Sequence, residues 1–176
     1  MPATHAAFLR GVNLGSTRKT SSGELRACFE ELGFEDVATF RTSGNVVFRA
    51  KRAPAAKRIE KALHDSFGFE VMVFLRSAAQ LGKIAAHDPF PRARSEGKLQ
   101  VALLSQKPSA AVRKQVLAHA TDQDRLAFGD LELYWLPSGR MRDAGVNLRE
   151  IEKLTDAWTM RTKATIELLG VKFFSA

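Results

Sequence analysis

The residues best suited to do chemistry lie in two short polar stretches near the start of the chain. The first holds Arg10, Gly11, Asn13, Gly15 and Lys19, and the second holds Ser43, Gly44 and Asn45. Brought together, they are the ingredients of an anion site. Arginine offers a planar fork that grips a phosphate or carboxylate through two parallel hydrogen bonds, and lysine offers a compact positive charge. Glycine lets the backbone approach a ligand closely, while Asn and Ser side chains orient it. The run Gly11-Val12-Asn13-Leu14-Gly15 is neither a GxxxxGKS/T phosphate loop nor a GxGxxG fingerprint, so no nucleotide cofactor is expected. The same residue types also suit a bare loop whose Gly and Asn solve backbone geometry.

A secondary anion candidate is Arg161 with Thr159 and Thr162, residues that equally read as the lead-in to a helix. Other constellations fail on spacing. His5, His64, His87 and His119 form no HxH or HxxxH pair, so no metal site is expected. There is no GxSxG, no Cys-His arrangement and no evident carboxylate pair, and no catalytic residue is nominated. Phe8, Phe40, Phe48 and Phe74 fall on strands, as in RNA-binding sheets that stack bases, but the basic-Gly-aromatic signature is missing and core packing is the expected role.

These residues are carried by a regular succession of elements. An apolar strand from Thr4 to Arg10 gives way to a Gly/Asn/Ser-rich loop from Gly11 to Ser22. Ser21 and Glu24 form a capping box ahead of a helix whose stripe is Leu25, Cys28, Phe29 and Leu32, closed by Gly33. Cys28 lies on that stripe and reads as a small buried hydrophobe. Val37–Arg41 and Asn45–Arg49 are β-rich runs joined by a turn. A helix burying Ile59, Leu63 and Phe67, a strand Val71–Leu75, and a helix capped by Ser77 and Gln80 complete the order βαββαβ-α.

Residues 89–97 lack apolar periodicity and read as a linker between residues 1–88 and 98–176. The pattern then restarts with a strand Lys98–Ser105, a helix Ser109–Ala120, a hairpin across Gly129 and Asp130, and a helix capped by Asn147. A short strand Ala157–Met160 and a last helix Thr162–Leu169, closed by Gly170, follow. The fold class expected is α+β, two tandem ferredoxin-like (βαββαβ-α) subdomains, each with an antiparallel sheet of order 4-1-3-2 and helices on one face. A single larger mixed sheet built from both halves is the alternative. In the tandem arrangement the end of the first strand, the first hairpin turn and the start of the first helix share one edge, so the two polar stretches meet.

Several pieces carry a resemblance. Phe8-Leu9-Arg10-Gly11-Val12-Asn13-Leu14-Gly15, Glu24-Leu25-Arg26, Leu32-Gly33-Phe34 and Thr42-Ser43-Gly44-Asn45-Val46-Val47-Phe48 resemble the N-terminal pattern of domain of unknown function 1697, an uncharacterised bacterial family. Asp88-Pro89-Phe90 and Trp158-Thr159-Met160-Arg161-Thr162 are similar to later, weaker blocks. The resemblance implies a two-subdomain α/β protein and no particular activity. The chain departs from many relatives in having Ser16, Thr17 and Arg18 after Gly15, and Thr162 and Lys163 after Arg161.

The 176 residues carry 27 Lys and Arg against 19 Asp and Glu, a formal charge of +8 that is spread evenly over the two halves. A basic balance favours polyanions, yet there is no basic tail. The densest run, Arg49, Lys51, Arg52, Lys57, Arg58 and Lys61, reads as a solvated face. One cysteine rules out an internal disulfide framework and suits a reducing cytoplasm. No stretch reaches the ~18 apolar residues of a membrane span, so a cytoplasmic protein without membrane contact is expected. The functional expectation is a module binding an anionic small molecule or nucleic acid through the first loop and hairpin. The alternatives are an enzyme acting on a small phosphorylated or acyl substrate in the same pocket, and a structural or protein-interaction module.

Overall fold

A computed structural model describes residues 3–13, 16–41, 44–91, 95–140 and 145–175. The chain divides into two compact units, Met1–Gly82 with Leu168–Ala176, and Lys83–Glu167. Unit 1 contains β1 (His5–Arg10), α1 (Ser22–Glu31), β2 (Glu35–Thr39), β3 (Asn45–Arg49), α2 (Ala56–Phe67) and β4 (Met72–Ser77). Unit 2 contains β5 (Gln100–Leu104), α4 (Ala110–Leu117), β6 (Arg125–Phe128), β7 (Glu132–Leu136), α5 (Leu148–Thr155) and β8 (Trp158–Thr162). The division passes through α3 (Ala78–Ala86) and α6 (Lys163–Phe173).

Two separate four-stranded sheets replace the alternative of one mixed sheet. Their orders are β2-β3-β1-β4 and β6-β7-β5-β8, with antiparallel pairing throughout. In unit 1, Ala7, Leu9, Val46, Phe48 and Val73 join Leu25, Phe29, Ile59 and Leu63 of α1 and α2 in one core. Phe48 anchors it, with ring centroids 4.4 Å from Phe34 and 5.4 Å from Phe29, spacings typical of favourable aromatic pairs. Unit 2 repeats the plan with Ala102, Leu104, Leu133 and Trp135 against Val116 and Ile151.

Side chains alternate along a strand, so Ala6, Phe8, Val47, Phe74 and Arg76 occupy the second face of unit 1, and all five are buried. The strand phenylalanines Phe8, Phe48 and Phe74 are therefore core residues rather than stacking platforms.

Local chemistry explains most of the boundaries. The capping box at α1 forms, with Glu24 N donating to Ser21 Oγ (3.1 Å) and Ser21 N to Glu24 Oε2 (2.7 Å). Ser77 and Gln80 make the same reciprocal pair at α3 (2.8 and 3.3 Å). Gly68 closes α2 in the left-handed conformation. Several boundaries differ from expectation, β8 for one running to Thr162 rather than Met160, and two have a visible physical cause. β2 ends at Thr39, because Arg41 adopts φ +61 and leaves the strand. Gly170 does not end α6, which runs on to Phe173. A glycine inside a helix costs about 1 kcal/mol relative to alanine. Contacts made by the added turn offset it: the Phe173 carbonyl accepts from Ala3 N (3.0 Å), and its ring meets Phe40 edge-on at 5.9 Å.

Candidate functional site

The loop after β1 is held by its own backbone. Gly11 takes φ +99, and a Cβ there would lie 2.9 Å from the Glu70 carbonyl oxygen. Asn13, at φ +54, donates its amide to Arg18 O (2.6 Å) and accepts Thr20 N at Oδ1 (3.0 Å), which folds the loop back toward α1. The hairpin closes in a similar way. Phe40 N donates to Asn45 O (2.9 Å), and the buried Asn45 side chain returns Nδ2 to Phe40 O (2.8 Å).

Loop and hairpin meet at Gly44. Its carbonyl accepts Leu9 N (2.8 Å), and at φ +73 a Cβ would stand 2.7 Å from Val12 Cγ2 and 3.0 Å from Leu9 Cβ. Beside this contact lies a cavity of about 60 Å³ whose walls include Asn13, Thr20, Leu25, Arg41, Gly44 and Asn45. No carboxylate lines it among the described residues. Thr20 Oγ1 is buried and has no hydrogen-bond partner among the described residues. Glu24 stays outside, fully exposed, where the Ser21 amide and then its hydroxyl hold the carboxyl below the usual range.

Of the nominated residues, the fold thus gathers Asn13, Gly44 and Asn45, with Gly11 in the adjoining turn. Arg10 is half-buried at the end of β1, opposite Met72, and is not part of the cavity wall. Lys19 is exposed and likewise outside it. Gly15 and Ser43 lie outside the described residues. Arg161 belongs to unit 2, where Nη1 donates to Thr159 Oγ1 and to Met160 O, both at 2.8 Å. Burial pushes its guanidinium down to about 10. Thr162 acts at the helix start, accepting Thr165 N at 3.2 Å. The cation on the cavity wall is Arg41, packed over Phe40 at 5.4 Å, and the unpaired hydroxyl is Thr20. Neither was nominated: Arg41 enters through its positive φ, for which an arginine gives no local signal, and Thr20 reads only as the residue before a cap.

The corresponding junction of unit 2 is bridged by an arginine. Arg113, the fourth residue of α4 as Leu25 is of α1, donates Nη2 to Gly129 O and Asp130 O in the hairpin turn (both 3.0 Å). Its Nε reaches Pro108 O in the preceding loop (3.3 Å), and the guanidinium lies 5.0 Å over Phe128.

Elsewhere, Cys28 is buried, with burial pushing its thiol up and Ser66 Oγ 3.8 Å from Sγ. Among the described residues no group of three or more His, Cys, Asp or Glu is arranged to hold a metal ion. Among them, too, no helix is long and apolar enough to cross a membrane.

Fold and site together define a two-unit α+β protein with a cavity at one loop–hairpin junction and an arginine bridging the other. The chain belongs to the family described as protein of unknown function, DUF1697, whose model matches residues 3–134. The chain is also similar to a solved structure of a conserved bacterial protein from Streptococcus pneumoniae. The TM-score is 0.80 at 20% identity, covering 99% of this chain and 100% of that one. That likeness concerns the fold. No curated protein matches the chain.

Proposed function

We propose that the protein is a tandem ferredoxin-like binding module that takes a small anionic group, a phosphate or carboxylate, at the loop–hairpin junction of unit 1. The strand orders β2-β3-β1-β4 and β6-β7-β5-β8 are 4-1-3-2 read from the opposite edge, which supports the ferredoxin-like description. The observation that carries the site is the cavity itself, with Arg41 and Thr20 on its wall and the Thr20 hydroxyl buried without a partner among the described residues. A buried hydroxyl left unpaired costs free energy that a ligand oxygen would return.

Size narrows the reading. A water needs ~10–15 Å³ of such space, and drug-sized ligands occupy pockets of ~300–1,000 Å³. A cavity of about 60 Å³ suits one small anionic group, with the rest of its molecule outside. Asn13 and Asn45 shape the walls through hydrogen bonds they make within the junction, and Arg41 brings the positive charge to it.

The test is titration calorimetry with inorganic phosphate, run beside polarisation of labelled single-stranded RNA and duplex DNA at low and physiological salt. Arg41→Gln should weaken phosphate binding about tenfold or more, the scale of one charge-assisted hydrogen bond, and Thr20→Val by less. Phosphate affinity unchanged in both folded variants would overturn the site. Binding of RNA or DNA alone, with phosphate ignored, would move the ligand to a polymer track.

A further inference from the structure

The basic run that reads as a solvated face resolves, in the fold, into paired charges and a residue. Arg49 pairs with Glu35 (2.7 Å) and Asp36 (2.8 Å), and Lys51 with Glu35 (2.8 Å). Lys57 pairs with Glu60 (2.9 Å) and Lys61 with Asp65 (2.5 Å). Arg52 is exposed, with no ion-pair or hydrogen-bond partner among the described residues. Arg58 spends one guanidinium donor on Leu32 O (3.2 Å), at the end of α1, and a guanidinium has five. Carboxylates therefore neutralise four members of the run and leave two arginines.

Those two arginines flank a cavity of about 250 Å³ in unit 1, between the end of α1 and the β3–α2 connection. Leu32, Phe34, Ala50 and Pro54 give it an apolar wall, while Lys51, Arg52 and Arg58 are its charged members. No carboxylate lines it among the described residues, and the first turn of α2 holds no acidic residue. The volume is about four times that of the loop–hairpin cavity, which lies at the other end of β3.

We propose that this cavity is a second, independent ligand site, taking a small phosphate monoester whose phosphate is carried on an apolar or aromatic body. The two arginines would grip the oxyanion by their planar forks, and the body would lie against Leu32, Phe34 and Pro54. Inorganic phosphate offers only half of that complement. So does the dephosphorylated body.

The probes are phenyl phosphate, inorganic phosphate and phenol, titrated calorimetrically against the whole chain, with amide chemical shifts of Leu32, Gly33 and Phe34 reporting location. Phenyl phosphate should bind at least about tenfold more tightly than either fragment and should move those amides. Arg52→Gln and Arg58→Gln should each weaken, several-fold, the binding that moves those amides. Arg52 touches no described partner, so its variant keeps the test readable if Arg58→Gln disturbs the end of α1. Equal affinity for phosphate and phenyl phosphate, or unchanged binding in Arg52→Gln and Arg58→Gln, would overturn the proposal. Loss of phenyl phosphate binding only in Arg41→Gln would also overturn it, by assigning the ligand to the loop–hairpin cavity.

Discussion

Gly44 answers to two constraints at once. Its φ of +73 is a conformation that L side chains rarely adopt, and the space where a Cβ would go is taken by Val12 and Leu9. Left-handed backbone costs a non-glycine residue about 1–2 kcal/mol, and overpacking typically adds about 1–3 kcal/mol. Gly44→Ala should therefore destabilise the protein by about 2–5 kcal/mol, seen as a lower urea midpoint at an unchanged slope. A midpoint equal to wild type would mean that the turn relaxes freely. Gly11, Gly44, Asn13 and Asn45 were legible in the sequence because backbone needs select those residue types. Cations were harder, since a long side chain points where its backbone and neighbours send it. Lys19 sits two residues before the cap of α1 yet faces solvent, whereas Arg41 reaches the cavity through a backbone twist that no local pattern announces.

At the scale of elements, the two junctions differ by what stands at the fourth position of the first helix. Leu25 leaves the unit 1 junction open, and Arg113 ties loop and hairpin together in unit 2. Arg113→Leu strips donors from three backbone carbonyls, so thermal unfolding should show a loss of about 1–3 kcal/mol. An unchanged melting temperature would reduce Arg113 to a surface contact. The helices of the first half were legible through capping pairs, Ser21 with Glu24 and Ser77 with Gln80, and through apolar stripes at helical spacing. The end of α6 was not. Gly170 reads as a stop, and only the tertiary contacts of Phe173 with Ala3 and Phe40 explain why the helix continues.

For the whole molecule, the charge of +8 is divided evenly along the sequence, as residues 1–88 and 89–176 carry equal net charge. Duplex DNA should then bind only through loose phosphate contacts, with affinity falling about tenfold or more between 50 and 200 mM salt. Polarisation across that range checks it, and tight binding with a shallow salt slope would show a specific nucleic-acid surface instead. Net charge alone supports this expectation because non-specific attraction to a polyanion follows overall charge rather than fold. What composition and pattern could not show is that unit 1 is discontinuous, needing Leu168–Ala176 as well as Met1–Gly82. That has a consequence in time. Ribosomes add about 5–20 residues per second, so the roughly 85 residues of unit 2 delay the last piece of unit 1 by about 4–17 s. The contiguous unit is finished first although it is encoded second, and for those seconds the nascent first unit waits on the ribosome with its closing segment still unmade.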